Sequence, residues 1–229
     1  MFVEAVRKVN QAVFPIFRQE FIAENQISTG VAGTGFFVSP EGHFISVAHV
    51  FDISNPQVTY DYKGLLPDSV HNPALQITEI ARDNEHDLFL GKVDLSTPVF
   101  LTLTPSLAEV GKTVCITGYP LAQISVNQQG GLELGGVRRY LQPSFVLDRA
   151  NMHMNGVTHD GFLVRDIGLF GMSGGPVFDT AGDVWGMQAS VTDPRVSTNG
   201  VRTLSVENTL AIRSNLILDF IRETHLPVF

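Results

Sequence analysis

Short apolar runs, each closed by Gly, Pro, Asn, Asp or Ser, recur along most of this chain. VAGTGFFV (31–38), HFISVAHV (43–50), QVTYDY (57–62), LQITEIA (75–81) and DLFLGKV (87–93) are rich in β-branched and aromatic residues and predict strands. TVCITGY (113–119), SFVLD (144–148), GFLV (161–164), DVWGMQASV (183–191) and VRTLSV (201–206) extend the series. SPEG (39–42) lies between the first two runs and predicts a turn that folds them into a hairpin. Many short strands at this spacing predict an all-β barrel or sandwich. Helical spacing is confined to the ends. Phe2, Ala5, Val6, Val9 and Val13 share a face over residues 1–13, with Pro15 closing the segment. Leu216, Ile217, Phe220 and Ile221 share a face in NLILDFIRETH, where Ser214 is available as the cap. Without repeats, low-complexity tracts or long linkers, the chain reads as one structural unit, with a turn-rich division near residue 105.

Composition narrows the class. An apolar fraction of 44% and a charged fraction of 17% over 229 residues describe a folded globular chain with a sizeable core. A net charge of -8 argues against nucleic acid as a partner, because backbone phosphates demand clustered Lys and Arg. No apolar run is long enough for a membrane-spanning helix, so no membrane partner is expected. The start, MFVEAVRKVNQAVFPIF, carries Glu4 and Lys8 and does not resemble a secretory signal. Together with a single cysteine, Cys115, read as a buried structural thiol, this predicts a cytoplasmic location.

Candidate chemistry follows by comparing side-chain patterns. The histidines 43, 49, 71, 86, 153, 159 and 225 form no HExxH arrangement or Cys/His cluster, so no metal is expected. No phosphate-cradling loop is present, and GTGFFV lacks the helix that a dinucleotide fingerprint needs, so no cofactor is expected. Nucleophilic catalysis requires a nucleophile, a base and an orienting group. GMSGGPVFD (171–179) surrounds Ser173 with three glycines, which suits either a nucleophile or the tip of a tight turn. His49, taken alone, reads as a structural histidine; Asp87 reads as a turn former and His86 as its exposed neighbour. The three together occur in the order His, Asp, Ser, each at the edge of a strand or turn, and that order suits a charge-oriented triad.

The segments GTGFFVSPEGHFISVAHV, DNEHDLFLGKVD, GKTVCITGYPLA, GMSGGPVFDTAGDVWGMQASV and NTLAIRSNLI resemble, in order, the protease domain of trypsin-like serine peptidases, most closely the HtrA/Deg-like branch. The resemblance runs from about residue 31 to about residue 220. It implies two perpendicular six-stranded antiparallel β-barrels with the active site between them. The division is then an extension over 1–20, barrels over about 21–105 and 106–213, and a helix over 214–229. By resemblance, Ser173 is the nucleophile, His49 the general base and Asp87 the carboxylate that orients the imidazole. The N–H groups of Gly171 and Ser173 form the oxyanion hole, and Gly174 leaves space for the acyl group. A substrate pocket has Ile167 at its base, Met187, Gln188 and Ala189 along its wall, and Ala211 or Ile212 opposite. Such a pocket is neutral and suits apolar side chains, whereas Asp166, one position away, would make it acidic and select Lys or Arg.

Departures from the family matter too. Digestive trypsins carry, before the serine, an aspartate that pairs with a newly cut N-terminus; here the position is Met172, so that switch is not expected. The PDZ domain usual in HtrA proteins has no counterpart before Phe229, so PDZ-gated trimer activation is not expected either. The expected function is that of a cofactor-free serine endopeptidase acting on protein or peptide substrates. The alternative is a catalytically silent protease-fold binding module, and the oligomeric state stays open.

Overall fold

The computed structural model describes residues 1–23, 26–53, 55–66, 74–95, 99–120, 123–126, 132–135, 139–154, 156–192, 197–198, 201–202 and 208–227. After helix α1 (Val3–Asn10), six strands form the first barrel: β1 (Val13–Ala23), β2 (Gln26–Phe37), β3 (His43–Ser46), β4 (Thr59–Leu65), β5 (Ala74–Asp83) and β6 (Leu88–Val93). Their order is β1-β2-β3-β6-β5-β4, and antiparallel pairing of β1 with β4 closes it. After β7 (Thr113–Gly118) comes a two-stranded ribbon, β8 (Gln123–Val126) and β9 (Leu132–Gly135). β10 (Tyr140–Met154), β11 (Val157–Val164), β12 (Pro176–Phe178) and β13 (Val184–Thr192) follow, then a second ribbon of β14 (Ser197–Thr198) and β15 (Val201–Arg202). β16 (Asn208–Arg213) leads into helix α2 (Ser214–Glu223). The second barrel runs β10-β11-β16-β13-β12-β7 and closes through β10 with β7. The fold is therefore all-β, with two six-stranded antiparallel barrels and a helix near each end. Neither helix is long and apolar enough to cross a membrane.

The first barrel packs around aromatic rings. Phe14 stacks on Phe37 at 4.7 Å and meets Phe44 edge-on at 5.1 Å, while Phe89 stacks on Phe51 at 3.7 Å. Glycine neighbours make room for these rings. A Cβ on Gly64 would lie 2.8 Å from Phe14, and one on Gly35 would lie 3.0 Å from both Phe14 and Phe44. Each buried ring contributes about 1.5–3 kcal/mol relative to exposure. Leu101 donates its N–H to Phe37 at 2.8 Å, and Thr104 donates to Val184 at 2.8 Å, so the connecting segment is pinned to one barrel and then to the other. Both helices cover the junction: Phe2, Val9, Ile217 and Phe220 join the larger core cluster with residues of both barrels.

Three expectations require correction. Helical spacing near the start continues into Val13, yet α1 ends at Asn10 and Val13 opens β1, so the first barrel begins within the segment expected to be an extension. Pro15 does not end a helix. It sits inside β1 opposite Thr34, where pairing with β4 begins only at Ile16, so its missing N–H interrupts no bond on that side. Ser214 is the first residue of α2, not its cap, and its hydroxyl donates to the Thr104 carbonyl at 2.5 Å. Beyond Arg202, the expected strand VRTLSV lies outside the described residues, as does His71.

Candidate active site

His49 sits in a single 3-10 turn, Ala48–Phe51, immediately after β3. Ala48, Val50 and Phe51 are buried, which leaves the histidine as the turn's outward member, with 45% of its side chain exposed. Asp87 closes the turn between β5 and β6 with φ +58°, a left-handed conformation that Asp tolerates better than most residues. Asp83 shapes that turn by accepting the N–H groups of Glu85 at 2.9 Å and His86 at 3.1 Å. Its other oxygen engages His86 Nδ1 at 2.7 Å, so His86 is committed to Asp83.

The Asp87 carboxylate, only 5% exposed, grips His49 at two points. Oδ1 accepts the His49 backbone N–H at 2.9 Å, and Oδ2 meets Nδ1 at 2.8 Å. The Asp87 carbonyl also accepts the Ala48 N–H at 3.2 Å. A carboxylate facing Nδ1 requires the proton there, so in the neutral ring Nε2 carries the free lone pair. Burial pushes the His49 pKa down, but the Asp87 hydrogen bond and the charges of Asp87 and Asp52 outweigh it, and the value ends above that of an ordinary histidine.

Ser173 lies in the loop from Leu169 to Gly175. The Met172 N–H donates to the Leu169 carbonyl at 3.0 Å and Gly171 has φ +93°, a combination that fits a type II turn with glycine at its third position. The Gly175 N–H donates to Met172 at 2.9 Å, and Gly174 and Gln188 tie the loop to β13 by a 2.8 Å bond from the Gly174 N–H. Among the described residues, the N–H groups of Gly171 and Ser173 donate to no protein acceptor. The first barrel reaches this loop directly: Thr34 donates its N–H to the Ser173 carbonyl at 2.8 Å and its hydroxyl to the Gly171 carbonyl at 2.7 Å. A Cβ on Gly33 would meet both the Ser173 carbonyl and the Val50 side chain, so the serine loop and the histidine turn flank the same glycine. Among the described residues, Ser173 Oγ makes no hydrogen bond to the His49 ring; nucleophile and base are often looser before a substrate is bound.

The expected pocket residues are spread over two faces. Ile167 is at the surface, 48% exposed. Gln188 is buried, and its side-chain amide lies against Gly168. Met187 and Ala189 alternate to the other face of β13 and pack into the larger core with Ile212, while Ala211 joins the core of the second barrel. The Met187 and Ala189 side chains therefore form no wall with Gln188, because strand periodicity points these two neighbours away from it. Phe170, beside Gly171, is 77% exposed.

Sequence reasoning missed Thr34, although the GTG motif that contains it was visible. It also missed His159, a buried β11 residue within electrostatic reach of Asp87 and His49, because nothing local distinguishes it. Burial pushes the His159 pKa down; Asp87 pulls it up and His49 and His153 push it down, and it ends below that of an ordinary histidine. Among the described residues, no three His, Cys, Asp or Glu side chains converge as metal ligands.

Residues 33–187 match the family model of the trypsin-like peptidase domain. The chain is 28% identical over 167 residues to the uncharacterized protein y4bJ of Sinorhizobium fredii, covering 71% of this chain but only 22% of that relative. Among solved structures it is similar to the HtrA-type protease AlgW with a decapeptide, at TM-score 0.71 and 15% identity over 98% of this chain and 67% of that one. It is similar as well to the active form of the Rv3671c protease from M. tuberculosis, at TM-score 0.68 and 20% identity, covering 98% and 86%.

Proposed function

The chain belongs to the trypsin-like peptidase family, and from that premise we propose that it is a serine endopeptidase, a hydrolase that cleaves peptide bonds through an acyl-enzyme on Ser173. The observation that carries this reading is the buried Asp87 carboxylate holding His49 by backbone and ring together, which in the neutral ring leaves the lone pair on Nε2. Ser173 Oγ attacks the substrate carbonyl carbon while its proton passes to His49 Nε2. The new negative charge on the carbonyl oxygen is received by the N–H groups of Gly171 and Ser173, each such donor supplying about 3–4 kcal/mol of transition-state stabilisation. The proton then moves from His49 to the departing amine as the C–N bond breaks. A water, deprotonated by the same ring, attacks the acyl carbon and frees Ser173.

The substrate class is protein or peptide, supported by the family and by the decapeptide in the AlgW structure. Around the pocket, Ile167, Gly168 and Gln188 bring no formal charge, which supports a preference for uncharged side chains before the scissile bond. A second reading, a silent protease-fold binding module, has in its favour the missing bond between Ser173 and His49. A fluorophosphonate separates the two. The endopeptidase labels at Ser173, loses the label in Ser173→Ala and yields a cleavage profile from a peptide library. Folded protein that never labels and binds a partner unchanged in Ser173→Ala is the silent module.

A further inference from the structure

We infer that Thr34, a first-barrel residue with no contact to substrate in the reaction above, is the positioning residue that sets the oxyanion-binding peptides of the second barrel. The inference rests on the serine-peptidase reading. Thr34 is completely buried, and all its polar groups are spent on elements of the site. Its N–H donates to the Ser173 carbonyl at 2.8 Å. Its carbonyl accepts the Ser46 hydroxyl at 2.8 Å, three residues before His49. Its hydroxyl accepts the Tyr119 N–H at 3.2 Å and donates to the Gly171 carbonyl at 2.7 Å.

A hydroxyl has one proton to give, and with the Tyr119 N–H occupying a lone pair that proton is committed to Gly171. The consequence is geometric. The Ser173 N–H belongs to the peptide between Met172 and Ser173, and Thr34 fixes the peptide on either side of it. Gly171, at φ +93°, has no Cβ to restrict its rotation, so the fixed carbonyl supplies the constraint that its side chain does not. Turning that carbonyl away leaves a buried hydroxyl unsatisfied, which opposes the turn.

The surroundings are shaped to admit this residue. A Cβ on Gly118 would stand 3.0 Å from Thr34 Oγ1 and 2.8 Å from Met172 Cα, so only glycine lets the strand, the hydroxyl and the serine loop meet. Gly174 is equally constrained, since a Cβ there would collide with the Thr34 carbonyl and Ser46.

The test compares Thr34→Val, which keeps the shape and removes the hydroxyl, with Thr34→Ser, which keeps the hydroxyl. Loss of one oxyanion donor lowers kcat by about 10²–10³-fold. Misaligning the donors without removing them is expected to lower the kcat of Thr34→Val on a peptide amide by roughly tenfold to a hundredfold, with KM within about twofold. Thr34→Ser restores kcat to within about threefold. Peptide affinity measured in a Ser173→Ala background stays unchanged by Thr34→Val, whereas affinity for a peptide aldehyde, measured with Ser173 present so that its hydroxyl can add to the aldehyde carbon and form the tetrahedral adduct, falls by the same factor as kcat. If Thr34→Val does not fold, Thr34→Cys, of similar size and a weak donor, replaces it and carries the same expected split. A hydroxyl-free variant that folds and keeps kcat overturns the inference, as does a loss expressed only as a rise in KM or an equal fall of kcat in Thr34→Ser. Wild-type protein that neither labels nor cleaves removes the serine-peptidase reading and this inference with it. Wild-type activity beside an unaffected Thr34→Val removes this inference only.

Discussion

Replacing Asp87 by Asn changes one atom and reverses the polarity of one hydrogen bond. In the wild type both carboxylate oxygens accept, one from the His49 backbone N–H at 2.9 Å and one from Nδ1 at 2.8 Å. Asparagine has a single acceptor oxygen. The backbone N–H can only donate, so it claims that oxygen, and the amide NH₂ must then face Nδ1. That forces Nδ1 to accept and moves the ring proton to Nε2, where the lone pair is needed to take the serine proton. The expected loss is about 10⁴-fold in kcat, as for carboxylate-to-amide changes in other triads of this kind. At about 1.4 kcal/mol per decade, this corresponds to about 5 kcal/mol of transition-state stabilisation. The pH dependence shifts as well. Asp87 and Asp52 hold the His49 pKa above its ordinary value against the effect of burial, so the wild-type rate is expected to rise with pH through a midpoint above about 6.5. In Asp87→Asn the Asp87 contribution is gone and burial remains, so the midpoint of the residual activity falls. The same raised pKa favours the protonated ring in the folded state. Its stabilising contribution is full below about pH 6.5 and is lost as pH climbs through the raised value, opposite in sense to the activity. Steady-state kinetics from pH 5 to 9, with ¹⁵N NMR of the His49 ring to report the tautomer, make the measurement. A variant within tenfold of wild type, or one whose midpoint does not move, refutes this account of the pair.

Other substitutions probe separate parts of the site. Gly174→Ala places a methyl group against the Thr34 carbonyl and Ser46 at φ +86°. The conformation alone costs about 1–3 kcal/mol, and each kcal/mol lowers Tm by about 2–4 °C in a domain of this size, so calorimetry should show a clear fall together with lost labelling. Met172→Asp introduces a charge among the buried apolar side chains of Val114, Ile116, Val146 and Phe162; a loss of about 3–5 kcal/mol is expected in urea unfolding, and wild-type stability contradicts the placement. Ile167→Asp adds an anion at the surface edge of the proposed pocket, and a peptide library should move its preferred residue before the cut from apolar side chains toward Lys and Arg; an unchanged profile places the pocket elsewhere.

The parts of the molecule legible in sequence are those with a local cause. SPEG forms its hairpin because Ser39 Oγ accepts the Glu41 N–H and Gly42 supplies φ +85°, all within four residues. The glycines around Ser173 were visible for the same reason, since positive φ at Gly171 and Gly174 leaves a mark in composition. β1 was not legible because Pro15 reads as a breaker until the strand opposite it is known. β12 has three residues, too few to show a period, and β16 joins α2 without an intervening turn residue. That Met187 and Ala189 share one face and Gln188 the other follows from strand alternation, but which face meets the core is set by the pairing of β13 with β12 and β16, which the local sequence does not record. Thr34 was hidden most fully, because its bond to Gly171 spans 137 residues.

Met172 shows how the serine loop holds its shape without a charged anchor at that position. Its side chain is fully buried in the second-barrel core, so the loop is fixed from beneath by apolar packing. Packing of that kind is non-directional: it fixes where the chain runs more strongly than which way each peptide faces. Orientation needs directed bonds, and among the described residues those at the Gly171 and Ser173 carbonyls come from Thr34 in the other barrel. His49 and Asp87 arrive from the same side, since both belong to the first barrel's loops. On the proposed reading, Ser173 thus takes its position from one barrel, while its peptide orientation and the histidine proposed as its base come from the other. Chemistry at Ser173 on this scheme depends on the docking of the two barrels, to whose shared core the helices near both ends contribute Phe2, Val9, Ile217 and Phe220.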